Sequence, residues 1–155
     1  MNQNDILRRV RYILDLDDSK MMSIFELGGT AVTRAQVSAW LKKDDDPEQE
    51  PIEDVMLATF LNGLIVEKRG KKDGAQATPE QRLTNNMVFM KLKIAFSLQA
   101  EDTLAILALS DFKISKHELS AFFRKPEHKH FRKCQDQVLR NFLKGLQIKY
   151  RGETG

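Results

Sequence analysis

"VSAWLKK", residues 37–43, returns 82 residues later as "LSAFFRK", residues 119–125. The match extends well beyond the heptapeptide. Laid over itself at that offset, the chain aligns residues 4–70 with 86–152 without a gap. Fifteen pairs are identical, among them Asn4/Asn86, Leu57/Leu139, Phe60/Phe142, Gly63/Gly145 and Leu64/Leu146. Unrelated segments of that length would share about four, so one structural unit is used twice. Between the copies lies "GKKDGAQATPEQRL", residues 70–83, polar and without an apolar period. It reads as a linker, which divides the chain into repeats at 1–69 and 84–155.

Each copy predicts four helices. In the first helix, Ile6, Leu7, Val10, Ile13 and Leu14 have helical spacing, matched by Val88, Phe89, Leu92, Ala95 and Phe96. Asn4 and Asn86 stand where N-caps are expected, because an Asn side-chain oxygen accepts an orphan amide. Met22, Ile24, Phe25 and Leu27 form the apolar part of the second helix, with Leu104, Ile106, Leu107 and Leu109 as counterparts. Gly28–Gly29 should end that helix in the first copy. Thr33-x-x-Gln36 and Ser115-x-x-Glu118 are capping boxes and start the third helix. Leu57, Phe60, Leu61 and Leu64 mark the fourth helix, echoed by Leu139, Phe142, Leu143 and Leu146. Gly63 and Gly145 fall inside it. An interior glycine costs about 1 kcal/mol relative to alanine, so its presence in both copies predicts a close helix crossing. No alternating strand pattern occurs. The fold class is all-α, a tandem duplication of a four-helix unit in which the second and third helices form a helix-turn-helix-like pair.

Composition narrows the function. The 155 residues are 41% hydrophobic and 30% charged, enough apolar material for a core. No apolar run approaches a membrane span, and the N-terminus lacks the apolar stretch of a signal peptide. A single cysteine excludes an internal disulfide. A cytoplasmic location is the expectation. No Gly-rich phosphate loop or nucleophile motif appears, so we expect no catalytic residues, no cofactor and no enzyme activity. His128, His130 and Cys134 could ligate a soft metal, yet a fourth ligand at standard spacing is missing. Cys134 replaces Ile52 of the first copy, which points to a buried, inert thiol.

Charge carries more information than these motifs. Net charge is +3, but residues 1–83 hold 12 basic and 15 acidic side chains, whereas residues 84–155 hold 13 and 7. The contrast peaks after the third helix, with "DDDPEQEPIED" in one copy and "RKPEHKHFRKC" in the other. Such asymmetry can mark an interaction surface. Six positions are basic in both copies, including Arg34/Lys116, Lys42/Arg124 and Lys43/Lys125. Retained cations suit phosphate contacts, although a solvated helix face would show them too. The candidate nucleic-acid-binding residues are Arg34, Lys43, Lys116, Arg124, Lys125, Lys129, Arg132 and Lys133.

"MMSIFELGGTAVTRAQVSAWLKK" resembles the helix-turn-helix of lambda-repressor-like regulators. The resemblance implies that Thr33, Arg34, Gln36 and Ser38 face DNA while Val37, Trp40 and Leu41 face the core. The five residues between Leu27 and Thr33 make a longer connection than such motifs use. Over residues 2–152, the segments "NDILRRVRYILDL", "VSAWLKK", "LSAFFRKPEHKHFRKC" and "LRNFLKGLQIKYR" resemble the YehS-like bacterial family. That resemblance implies a bacterial, all-helical, two-unit protein and assigns no activity or functional residue. Two functions stay open. One is nucleic-acid binding by a regulatory protein. The alternative is a protein–protein adaptor, or a homodimer, acting through the groove between the repeats.

Overall fold

The structure, a computed structural model, describes residues 1–71 and 76–152. Residues 72–75 of the expected linker lie outside the described residues. Eight α-helices and no strand occur among those described: α1 (Gln3–Leu14), α2 (Asp18–Leu27), α3 (Arg34–Leu41), α4 (Asp54–Arg69), α5 (Asn85–Ala95), α6 (Ala100–Leu109), α7 (Lys116–Ala121) and α8 (Asp136–Arg151). They form two compact units, Met1–Leu83 and Thr84–Gly155. All four helix starts of the first unit lie 82 residues before their counterparts. So do the left-handed turn positions Asp15/Ser97, Gly29/Asp111 and Gly70/Gly152. The duplicated all-α fold is therefore present in detail.

Local chemistry explains the helix starts. Thr33 with Gln36, and Ser115 with Glu118, close the two capping boxes that start α3 and α7. The first helix of each unit departs from expectation. Its N-caps are Asn2 and Thr84, two residues earlier than expected. Asn4 and Asn86 lie inside the first turn, and their amides serve a tertiary role described below. At the start of the fourth helix, Gln3 Nε2 donates to Asp54 Oδ1 at 2.8 Å and Asn85 Nδ2 to Asp136 Oδ1 at 2.7 Å. That bond holds the Asp136 carboxyl below its usual pKa. It also accounts for the retained Asp54/Asp136 pair, which tethers the first helix to the fourth.

Within each unit the second helix packs against the fourth, and the expected close crossing is found there. A Cβ on Gly63 would lie 1.8 Å from the Ile24 carbonyl oxygen, and one on Gly145 would lie 2.1 Å from that of Ile106. Backbone meets helix at both points, so only glycine fits. Gly28 caps α2 under the same constraint, with a Cβ 1.9 Å from the Thr59 oxygen. Its counterpart Ser110 donates its hydroxyl to the Asn141 carbonyl at 2.9 Å.

The two cores fill similar space from different helices. In the first unit Phe25 of α2 packs on Trp40 and Phe60, with ring centroids 5.2 and 5.1 Å apart. In the second unit Phe89 of α5 packs on the equivalent Phe122 and Phe142, at 6.2 and 4.6 Å. The counterpart of Phe25 is Leu107, and that of Phe89 is Leu7. All four are fully buried. One large and one small side chain have exchanged helices, which conserves core volume.

The second helices bury a different face than their apolar residues suggested. Met21, Ile24 and Phe25 are buried in α2, and Thr103, Ile106 and Leu107 in α6. Leu27 and Leu109 remain exposed at 37% and 46%. No helix among the described residues is long and apolar enough to cross a membrane.

Candidate nucleic-acid interface

The segment joining the third helix to the fourth is fixed by one asparagine in each unit. Asn4 Nδ2 donates to the Trp40 and Glu50 carbonyls, both at 2.9 Å, and its Oδ1 accepts from Ile52 N at 3.2 Å. Asn86 repeats the set with Phe122 O at 3.0 Å, Arg132 O at 2.8 Å and Cys134 N at 2.9 Å. An amide has one acceptor and two donor hydrogens, so it can hold three separated backbone groups at once. Both loops thus hang on the same frame.

They carry opposite charge on it. In the first unit Asp44 is drawn into a polar network. Gln49 Nε2 donates to it at 2.8 Å and Asn2 Nδ2 at 3.3 Å, and these bonds keep its carboxyl below the usual pKa. Asp45, Glu48 and Glu50 stand exposed beside it. In the second unit Pro126 replaces Asp44 and Arg132 replaces Glu50. Lys125, Lys129 and Lys133 are exposed and have no acidic partner among the described residues. Arg132 Nη1 lies 3.9 Å from Glu118 Oε2. Arg124 is half-buried, with an Nε that lacks a hydrogen-bond partner and an Nη1 3.5 Å from His128 Nε2. Five of the eight candidate cations, Arg124, Lys125, Lys129, Arg132 and Lys133, therefore belong to one short region of the second unit.

The other three serve elsewhere. Arg34 reaches Asp18 at 3.5 Å and Ser19 at 3.0 Å, and Lys116 reaches Glu101 at 2.9 Å. This retained pair ties the start of the third helix to the first turn of the second. Lys116 also holds the Glu101 carboxyl below its usual pKa. Lys43 is exposed in the first unit, next to the acidic run.

The third helices are poorly equipped to read bases. Gln36 Oε1 accepts from Thr33 N at 2.8 Å, so a bidentate contact to adenine would break the cap. Glu118 Oε1 likewise accepts from Ser115 N at 2.9 Å, which keeps the carboxylate charged on this face. α7 spans only six residues, because Phe122 and Phe123 close a tight turn onto Leu119 and Ser120. Val37 and Trp40 face the core as expected, and Leu41 is half-buried.

One side-chain placement was expected from the sequence and one was not. The Cys134 thiol is fully buried in the position of Ile52, and desolvation pushes its pKa up to about 12. It is thus separated from His128 and His130, and no group of three or more potential metal ligands forms among the described residues. Instead His117, from α7, meets the loop. Its ring lies 6.3 Å from that of His130, which lies 5.6 Å from that of His128. The long separation of His117 in sequence hid this cluster. Only the turn after α7, which folds the loop back over the helix start, reveals it.

Comparison with known proteins agrees with the duplication. A family model described as "Protein of unknown function (DUF1456)" matches twice, at residues 3–70 and 85–152. The "Uncharacterized protein YehS" of Escherichia coli (strain K12) is 47% identical over 156 residues, covering all of both chains. The YehS-like resemblance read from the sequence is borne out. No solved structure matches.

Proposed function

The chain belongs to the DUF1456 family, whose function is unknown, and we propose that it acts by binding nucleic acid through the basic loop of its second unit, without catalysing a reaction. One observation carries this reading. Two loops share one asparagine-pinned frame and both begin on an exposed lysine, Lys43 or Lys125, yet only the second adds Lys129 and Lys133, which have no acidic partner among the described residues and stand where the first has Pro47 and Pro51. Exposed cations without carboxylate partners are free to neutralise phosphates and release counterions. The first unit keeps the frame and carries Asp45, Glu48 and Glu50, which repel a phosphate backbone. Contact is made by the loop and not by a helix laid in a groove, since both third helices use Gln36 or Glu118 on a cap and Arg34 or Lys116 on the neighbouring helix.

The test is a charge exchange on the shared frame. Lys125→Glu, Lys129→Glu and Lys133→Glu together should abolish binding to oligonucleotides at low salt. Asp45→Lys, Glu48→Lys and Glu50→Lys together should strengthen it. Unaltered binding in both variants would sink the proposal. Folding should survive, because isolated surface charges contribute little to stability.

A second reading, self-association or adaptor binding, is favoured by Leu27 and Leu109. They are equivalent, identical and exposed at 37% and 46%. Sedimentation of the chain and of its Leu27→Ser/Leu109→Ser variant tests it. A larger species that disappears in the variant favours this reading, and a monomer in both cases dismisses self-association.

A further inference from the structure

All three histidines of the chain gather at the basic loop, and none occurs in the first unit. His117, His128 and His130 are exposed, in ring contact, and accompanied by Lys125, Lys129, Arg132 and Lys133. The equivalent positions in the first unit are Ala35, Asp46 and Glu48. The unit that gained the cations thus also carries planar rings at the same face. One ring is fixed by the backbone, since His130 N donates to His128 Nδ1 at 3.0 Å.

We infer that this face takes unpaired nucleic acid, with bases stacked on the imidazoles and the strand's phosphates on the surrounding cations. The inference rests on the nucleic-acid reading above and adds the class of strand. Histidine is among the side chains on which unstacked bases lie, and such stacking tolerates any sequence. Geometry selects against a duplex. Bases within a duplex strand rise by roughly 3.4 Å and lie parallel. The ring centroids here are 5.6 and 6.3 Å apart, and the planes are inclined by 41° and 66°. A base lying on one ring is therefore turned away from a base on the next, which only a splayed single strand permits.

The experiment compares four probes of equal length by fluorescence anisotropy at one salt concentration: single-stranded RNA, single-stranded DNA, an abasic strand and a duplex. The full chain should bind the base-bearing strands at least roughly fivefold tighter than the abasic strand, the low end of stacking on one ring. In His117→Ala/His128→Ala/His130→Ala that preference should vanish, with affinity for the abasic strand changed less than about twofold, as expected when phosphate contacts persist. His130→Phe should retain the preference, because it keeps a ring and discards the imidazole nitrogens. Equal binding of base-bearing and abasic strands, a duplex bound as tightly as the base-bearing strands, or a preference that survives the triple alanine change, would overturn the inference. If every strand binds alike and the triple lysine-to-glutamate variant binds none, the nucleic-acid reading stands and only the stacking fails. If the unaltered chain binds no probe, both fall.

Discussion

Asn86 donates its side-chain amide to the Arg132 carbonyl at 2.8 Å, so a residue of the first helical turn sets the path of the basic loop. Asn4 does the same for the acidic loop through Glu50. Asn4 is only 3% exposed. Its loss would leave two carbonyls and the Ile52 amide without their partner.

Asn4→Ala should therefore destabilise the first unit by roughly 2–3 kcal/mol, the cost of buried groups left unpaired. Asn86→Ala should cost less, since it is half-buried, but should weaken nucleic-acid binding by releasing the loop. Urea unfolding of both variants reads the first effect, and anisotropy reads the second. Full stability in Asn4→Ala would show that water replaces the amide without loss.

Gly63→Ala and Gly145→Ala each gain about 1 kcal/mol of helix propensity and lose more to overlap. The added carbon would lie 1.8 or 2.1 Å from a backbone oxygen. Backbone cannot swing aside as a side chain can, so α2 or α6 must move. We expect net destabilisation of roughly 1–3 kcal/mol, the range for overpacked sites. An unchanged or raised melting temperature would contradict the close crossing.

The exchanged core residues make a third prediction. Phe25→Leu alone should leave a cavity beside Trp40 and Phe60, and Leu7→Phe alone should overpack the first unit. The double variant copies the second unit's arrangement of Phe89 with Leu107. It should be more stable than the sum of the single effects by roughly 0.5–3 kcal/mol, the usual size of coupling through a shared cavity. Additive effects would mean that the two units do not fill equivalent space.

Much of the fold was legible in residue identities. Repetition exposed the duplication, and the serine and threonine caps placed the third helices. Gly63 and Gly145 pointed to the helix crossing, because an interior glycine costs helix propensity and is kept in both copies. Asn4 and Asn86 were misread as caps. A cap and a tertiary tether use the same amide, and only the position of Trp40, Glu50 and Ile52 separates them. The candidate site was half legible. Cation identity survives in the sequence, whereas partnership does not. Arg34 and Lys116 were committed to carboxylates and Ser19, while Lys125, Lys129 and Lys133 were not. His117 joined His130 only through a tertiary turn, beyond the reach of spacing rules.

Cys134 offers a check on burial. Its thiol should resist a thiol-reactive reagent in the folded chain at pH 8 and react only on unfolding. The folded chain favours the protonated thiol, with a pKa raised from 9.0 to about 12. Stability from this group is thus intact below about pH 9 and declines as pH rises toward 12, because the unfolded chain gives up the proton first. Rapid labelling of the native chain would contradict it.

The basic loop can be tested most directly by salt dependence. The logarithm of affinity for a single strand should fall with the logarithm of salt concentration, by a slope of about 0.7 for each phosphate contact. Replacing Lys125, Lys129 and Lys133 one at a time with Gln should each reduce that slope by one such step. Equivalent change at Lys43 of the first unit should reduce it little, since that residue borders the acidic run. Binding that weakens stepwise in this manner supports the second unit as the nucleic-acid face. A slope unmoved by all three substitutions, or no binding at tens of micromolar protein in low salt, would contradict it.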